Sequence, residues 1–204
     1  MEKLYYISQG QSLESHLQNI EKVCEAGCRL VQLRLKDVTQ DEYNDTATKA
    51  MSICDRFRAT LIVNDNIDAA IASGADGIHL GKNDRSPVEA RVLAEGKIIG
   101  GTANTLDDCL RLVAAEVDYI GLGPFRFTET KKGLDPIVGL EGFQKIQQAM
   151  NSKGLSIPIY AIGGIQIEDI QSIMDAEIYG VSVSGLLTNK SDLKERINQI
   201  QQVL

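Results

Sequence analysis

Gln32-Leu33-Arg34-Leu35-Lys36 sets an amide and two cations at every second position. Alternate side chains of an extended segment share a face, so Gln32, Arg34 and Lys36 are expected to point the same way. Two cations on one inward face are costly unless an anion meets them. The segment is therefore read as an anion site in preference to a solvated strand edge. Asn64-Asp65 and Gly81-Lys82-Asn83-Asp84 follow two further apolar runs. Either aspartate alone would suit a helix N-cap. As a pair beside Arg34 and Lys36 they suit one hard cation, because Mg2+ takes a few carboxylates together with waters and substrate phosphate oxygens.

Other segments carry phosphate chemistry. Gly100-Gly101-Thr102 ends a run on a hydroxyl. Thr128-Glu129-Thr130-Lys131-Lys132-Gly133 gathers two hydroxyls and two ammonium groups, the composition of a phosphate-binding lid. Gly163-Gly164 and Ser184-Gly185 offer small residues, past which backbone N–H groups can approach an anion. His16 is expected on a solvated helix face, and His79 inside a strand as a structural histidine in preference to a catalytic base. Cys24 and Cys28 share a helix face, but no nearby ligand completes a metal set. With Cys54 and Cys109 they are expected to pack as small hydrophobes.

Each of these segments must be held by something, and the pattern between them says what. Short apolar runs, candidates for strands, lie at Leu4–Ser8, Leu30–Lys36, Thr60–Asn64, Gly77–Leu80, Lys97–Thr102, Tyr119–Gly123, Ile157–Ile162 and Gly180–Ser184. Most are nearly continuous in hydrophobicity, as strands buried on both faces are. Segments such as Ser12–Ala26, Asp41–Arg58 and Ser191–Val203 carry apolar residues at helical spacing. Strand then helix, repeated, predicts a parallel sheet. Eight repeats without a break in composition predict a single α/β domain over residues 1–204, a (β/α)8 TIM barrel. An open doubly wound sheet would carry a glycine-rich turn after its first strand, and Gln9-Gly10-Gln11-Ser12 is not one. The chemistry-bearing residues then fall at the C-terminal ends of the strands, where barrel enzymes keep their active sites and where the loops after strands 7 and 8 often hold phosphate.

A formal net charge of −7 argues against a general nucleic-acid binder. It leaves the attraction of an anionic substrate to a local cation cluster or a metal. Neither a signal pattern nor a membrane-length apolar run is evident. A cytoplasmic enzyme without membrane partners is expected, and a homo-oligomer is left open.

Gln-x-Arg-x-Lys at 32–36, Asn-Asp at 64–65, Ala-Asp-Gly-Ile-His-Leu-Gly at 75–81, Thr-x-Thr-Lys at 128–131 and Ala-Ile-Gly-Gly-Ile at 161–165 stand in one order along the chain. Together they resemble the thiamine-phosphate synthase (thiamine-phosphate pyrophosphorylase) family from strand 2 to strand 8. The resemblance implies a transferase joining hydroxymethylpyrimidine diphosphate to a thiazole phosphate, with thiamine phosphate and pyrophosphate as products and Mg2+ as cofactor. It implies that Gln32, Leu33, Arg34, Leu35, Lys36, Asn64, Thr102 and Lys131 bind the pyrimidine diphosphate. Asp65 and Asp84 would hold Mg2+, and Thr128, Glu129, Thr130, Gly164, Val183 and Ser184 the thiazole phosphate. Arg34, Lys36 and Lys131 would be catalytic by neutralising the leaving diphosphate. Three departures stand out. Lys82-Asn83 replaces the usual Gln-Asp or Gln-Glu before Asp84, and Thr102 replaces a serine. Asn104 stands where the related thiazole tautomerases carry a histidine. Such a tautomerase, a non-catalytic phosphate-binding protein and a sugar-phosphate epimerase are the alternatives.

Overall fold

A computed structural model describes residues 1–127 and 136–204. Eight parallel strands close into a barrel in sequence order. They are β1 (Leu4–Ile7), β2 (Leu30–Leu33), β3 (Thr60–Asn64), β4 (Gly77–Leu80), β5 (Ile98–Ala103), β6 (Tyr119–Leu122), β7 (Ile159–Ile162) and β8 (Gly180–Val183). The helices between and after them are α1 (Leu13–Glu25), α2 (Gln40–Phe57), α3 (Ile67–Ser73), α4 (Pro87–Leu93), α5 (Leu106–Ala114), α6 (Gly139–Ser152), α7 (Ile170–Asp175) and α8 (Leu193–Val203). The barrel is the predicted one. Among the described residues, no helix is long and apolar enough to cross a membrane.

Strand alternation sorts the side chains. Tyr5, Leu30, Ile62, Tyr119 and Tyr160 fill the barrel interior. Val31, Leu33, Leu61, Val63 and their counterparts face outward into the layer shared with the helices. Tyr5, Tyr119 and Tyr160 meet edge-on, with ring centroids 5.5–5.8 Å apart, an arrangement worth about 0.5–1.5 kcal/mol per pair beyond burial. The glycines of β5 and β6 make this possible. A side chain at Gly100 would collide with the Tyr119 ring, and one at Gly121 would press on His79. All four cysteines are buried as free thiols in the outer layer.

Two strands depart from the expected bounds by more than one residue. β2 stops at Leu33 because the Arg34 N–H donates to Ser8 Oγ (3.0 Å) and leaves the ladder. β7 starts at Ile159 because Pro158 has no N–H to give, although its carbonyl still accepts from Ile120 (2.9 Å).

The helix starts answer the question raised by Asp65 and Asp84. Asn66 caps α3 by accepting from the Ala69 N–H, and Ser86 caps α4 by accepting from the Glu89 N–H. Neither aspartate is an N-cap, so both carboxylates are left for other work.

Candidate active site

A cavity of about 460 Å3 opens at the C-terminal mouth of the barrel. The register levels its walls: Asn64 on β3 is opposite His79 on β4, His79 is opposite Gly100 on β5, and Thr102 is opposite Gly121 on β6. Of the residues proposed from sequence, Gln32, Arg34, Asn64, Asp65, Thr102, Gly164, Val183 and Ser184 line it. Lys36 and Asp84 are not on its wall and adjoin it through Asp65; Leu33 and Leu35 do not line it either. Their side chains are buried in the outer apolar layer, so any contact with a ligand would come from their main chain. Thr128, Glu129, Thr130 and Lys131 lie outside the described residues.

On the β2–β4 side the groups are charged. Lys36 is half exposed and reaches across to pair with Asp65 Oδ2. Asp65 takes a positive φ of 63°, and its N–H donates to the His79 carbonyl (2.9 Å). Tyr43 braces the ends of β2 and β3. Its hydroxyl donates to the Asn64 carbonyl at 2.7 Å and lies 3.2 Å from that of Leu33. Asp84 Oδ2 accepts from the Gly81 N–H at 2.6 Å and so closes the turn after β4. Burial pushes the Asp84 carboxyl above its ordinary range. The adjacent Asp65 carboxyl adds to this, while the Gly81 hydrogen bond and Lys36 oppose it. Two carboxylates held against each other in this way are a donor set that a divalent cation relieves. Among the described residues no group of three or more His, Cys, Asp or Glu could cage a metal. Two carboxylates fit Mg2+, which completes its shell with waters and substrate phosphate.

On the β7–β8 side the groups are main chain. Gly163 and Gly164 take φ of 98° and 70°. Side chains there would run into Pro124 and Arg126, so the turn after β7 packs directly under the segment leaving β6. That segment donates the Phe125 N–H to Ile162 (2.8 Å) and the Arg126 N–H to Gly163 (3.1 Å). Arg126 lines the cavity and is anchored by Asp169 (2.6 Å). It was missed in the sequence, where it stands two residues before the Thr-Glu-Thr-Lys loop. A lone cation past the end of β6 was the available signal.

The departures from the family pattern have structural counterparts. Lys82 turns away from Asp84 and pairs with Asp108 (2.7 Å). Asn104 is buried on the cavity wall. Its amide nitrogen donates to the Gly123 carbonyl, while Oδ1 has no partner among the described residues. His16 is half buried, where a solvated position was expected. It bonds the Ser8 hydroxyl (2.8 Å), which also receives the Arg34 N–H. His79 is buried with Nδ1 3.0 Å from the Tyr119 hydroxyl and Nε2 3.0 Å from the Thr102 hydroxyl.

A closed (β/α)8 barrel with charged side chains at one edge of its mouth and glycine-rich turns at the other falls in the class of barrel enzymes that handle phosphorylated small molecules. Comparison with known proteins narrows the class. The family model described as thiamine monophosphate synthase matches residues 4–187. A thiamine-phosphate synthase of Flavobacterium psychrophilum is 48% identical over 203 residues, covering 99% of this chain and 98% of that one. One from Bacteroides fragilis is 41% identical over 204 residues and covers both chains fully. Among solved structures, the thiamine phosphate pyrophosphorylase of Pyrococcus furiosus superposes with a TM-score of 0.86 at 25% identity, covering 98% of this chain and 94% of that one. The chain belongs to the thiamine monophosphate synthase family.

Proposed function

We propose that the chain is a transferase that couples hydroxymethylpyrimidine diphosphate to a thiazole phosphate, forming thiamine phosphate and releasing pyrophosphate. The observation that carries this reading is the two-sided cavity. Arg34 and Asp65 line one side, with Lys36 and Asp84 adjoining through Asp65, and the glycine turn at 163–164 with Ser184-Gly185 lines the other. One space thus offers two phosphate-binding edges of different chemistry, as a reaction between two phosphorylated substrates requires.

The diphosphate suits the charged edge. Arg34 and Lys36 would bind its oxygens and offset the negative charge that grows as the C–O bond to the pyrimidine methylene breaks, the kind of electrostatic stabilisation that dominates many enzymes. Lys131, outside the described residues, would add a third cation by family resemblance. Asp65 and Asp84 would hold Mg2+, which when bound supplies further positive charge against the diphosphate. Gln32, Asn64 and Thr102 would hold the pyrimidine ring. Its amino group can support positive charge at the methylene, so the displacement is dissociative and needs no enzyme nucleophile. Gly164, Val183 and Ser184 would hold the thiazole phosphate through backbone N–H groups and a hydroxyl, placing the thiazole nitrogen for attack. With small phosphorylated molecules as its partners, the enzyme suits a cytoplasmic location.

The tautomerase alternative needs a group that titrates near neutral pH on the cavity wall. Asn104 supplies an amide, engaged with the Gly123 carbonyl, and His79, which also lines the cavity, is buried with its ring nitrogens on the Tyr119 and Thr102 hydroxyls. The test is to incubate the protein with both substrates and Mg2+ and look for thiamine phosphate by mass spectrometry, following the thiazole phosphate alone by NMR in parallel. Coupling without isomerisation supports the proposal. Rapid isomerisation of the thiazole phosphate without coupling overturns it.

A further inference from the structure

Beneath the cavity a chain of hydrogen bonds crosses the barrel interior. Gln32 Nε2 on β2 donates to the Tyr5 hydroxyl on β1 (2.7 Å). The Tyr5 and Tyr119 hydroxyls are 2.9 Å apart. Tyr119 on β6 meets His79 Nδ1 on β4, and His79 Nε2 meets Thr102 Oγ1 on β5, each at 3.0 Å. Both ends of this chain, Gln32 and Thr102, line the cavity. Tyr5 and Tyr119 in its middle are fully buried, and His79 is buried at the cavity wall. The Tyr119 ring also stacks on His79, with centroids 5.5 Å apart.

The chemistry of the links makes the chain directional. A phenol has one proton to donate, and burial pushes both tyrosines well above their ordinary range, so neither gives its proton up. A neutral imidazole has one donor and one acceptor nitrogen. With Gln32 donating to Tyr5, Tyr5 donates to Tyr119 and Tyr119 to His79 Nδ1. His79 then carries its proton on Nε2 and donates it to Thr102. The Gln32 carbonyl oxygen is left as an acceptor for the cavity, and the Thr102 hydroxyl proton as a donor. Reversing either end requires turning the amide, both phenols and the tautomer together.

We propose that Tyr5, Tyr119 and His79 are positioning residues that lock Gln32 as an acceptor and Thr102 as a donor, and thereby select a 4-aminopyrimidine ring over its 4-oxo counterpart. The aminopyrimidine edge carries an amine donor beside a ring-nitrogen acceptor, complementary to the locked pair. The 4-oxo ring carries an oxygen acceptor beside an N–H donor, the inverse, and faces two mismatched groups. A site built to hydrogen-bond one polarity rejects the other strongly, because its polar groups are left unpaired. The proposal rests on a pyrimidine occupying this cavity, as inferred above.

The test pairs spectroscopy with kinetics. The chain has two histidines, so 15N spectra of the imidazoles of labelled protein are assigned with one substitution at His16. The wild type is expected to show His79 protonated at Nε2. Tyr119→Phe, which removes the hydroxyl and keeps the ring, is expected to give a mixture of tautomers. In the same variant kcat/KM for the aminopyrimidine diphosphate should fall about tenfold, the value of one good hydrogen bond. The KM for the thiazole phosphate should stay unchanged, and discrimination against the 4-oxo analogue as an inhibitor should narrow. If Tyr119→Phe does not fold, Tyr5→Phe breaks the next link and should show the same loss of tautomer purity and selectivity. A wild-type His79 protonated at Nδ1 overturns the stated polarity. A variant that keeps both the tautomer and the selectivity of the wild type overturns the lock. The spectra need no turnover, so an inactive wild type would sink the functional reading and leave the tautomer to decide the lock.

Discussion

Asp84→Asn separates the metal hypothesis from a structural role, because it should move stability and metal affinity in opposite directions. The asparagine oxygen can still accept the Gly81 N–H that Asp84 holds at 2.6 Å, so the turn after β4 should survive. The negative charge is lost. In the protein without metal, Asp84 titrates above its ordinary range because of burial and the adjacent Asp65. A carboxyl with a raised folded pKa stabilises the fold while protonated, and that contribution fades as pH rises through the folded value. Near pH 7 the ionised group is a net cost, and asparagine removes it. In a partly wetted site this is worth a few tenths of a kcal/mol to about 1 kcal/mol. Melting without metal should therefore rise by up to about 4 °C at pH 7. The Mg2+ side points the other way. Contact between a carboxylate and a divalent ion is worth several kcal/mol before desolvation is subtracted. A net loss of about 2 kcal/mol would raise the Mg2+ concentration for half-maximal activity roughly thirtyfold. The assays are differential scanning fluorimetry in a chelator and a Mg2+ titration of coupling at saturating substrates. An unchanged Mg2+ requirement would show that Asp84 is not a ligand. A melting point lowered by several degrees would show that the charge-repulsion reasoning is wrong.

Other expectations follow from the same geometry. Arg34→Ala should lower kcat about a hundredfold with little change in KM if its charge acts mainly on the leaving diphosphate, and steady-state kinetics read this directly. Burial raises the Asp108 carboxyl, but Lys82, the Asn104 N–H and the Thr105 side chain outweigh it and hold it well below the usual carboxylate range. Its stabilising contribution is thus present above about pH 4, the unfolded value, and lost as pH falls toward the depressed folded one. Asp108→Asn should cost about 1–3 kcal/mol near pH 7 and converge on the wild type in acid, as denaturant melts across pH would show. Gly164→Ala meets a φ of 70° and the Arg126 side chain. It should cost about 1–3 kcal/mol and raise KM for the thiazole phosphate more than KM for the diphosphate.

The alternation of apolar runs made the barrel legible, because a parallel strand buried on both faces needs nearly continuous hydrophobicity. Its errors were at ends that side chains decide. Ser8 takes the Arg34 N–H from 26 residues away, and no local pattern announces that. The aspartates at strands 3 and 4 were visible, but their freedom from capping was not, since it depends on whether Asn66 or Asp65 turns toward the helix. Strand alternation put Gln32 and Arg34 on the inward side correctly, whereas Lys36 reaches Asp65 from a loop. The tyrosine–histidine chain was hidden altogether. Its links join residues 23 to 114 positions apart, and each tyrosine alone reads as core.

The most direct measurement is a crystal structure with thiamine phosphate, pyrophosphate and Mg2+ bound. A two-edged cavity requires pyrophosphate on Arg34 and Lys36, the metal on Asp65 and Asp84, and the thiamine phosphoryl group at Gly164 and Ser184. Pyrophosphate at the β7–β8 turns, or a metal that touches neither aspartate, would contradict it.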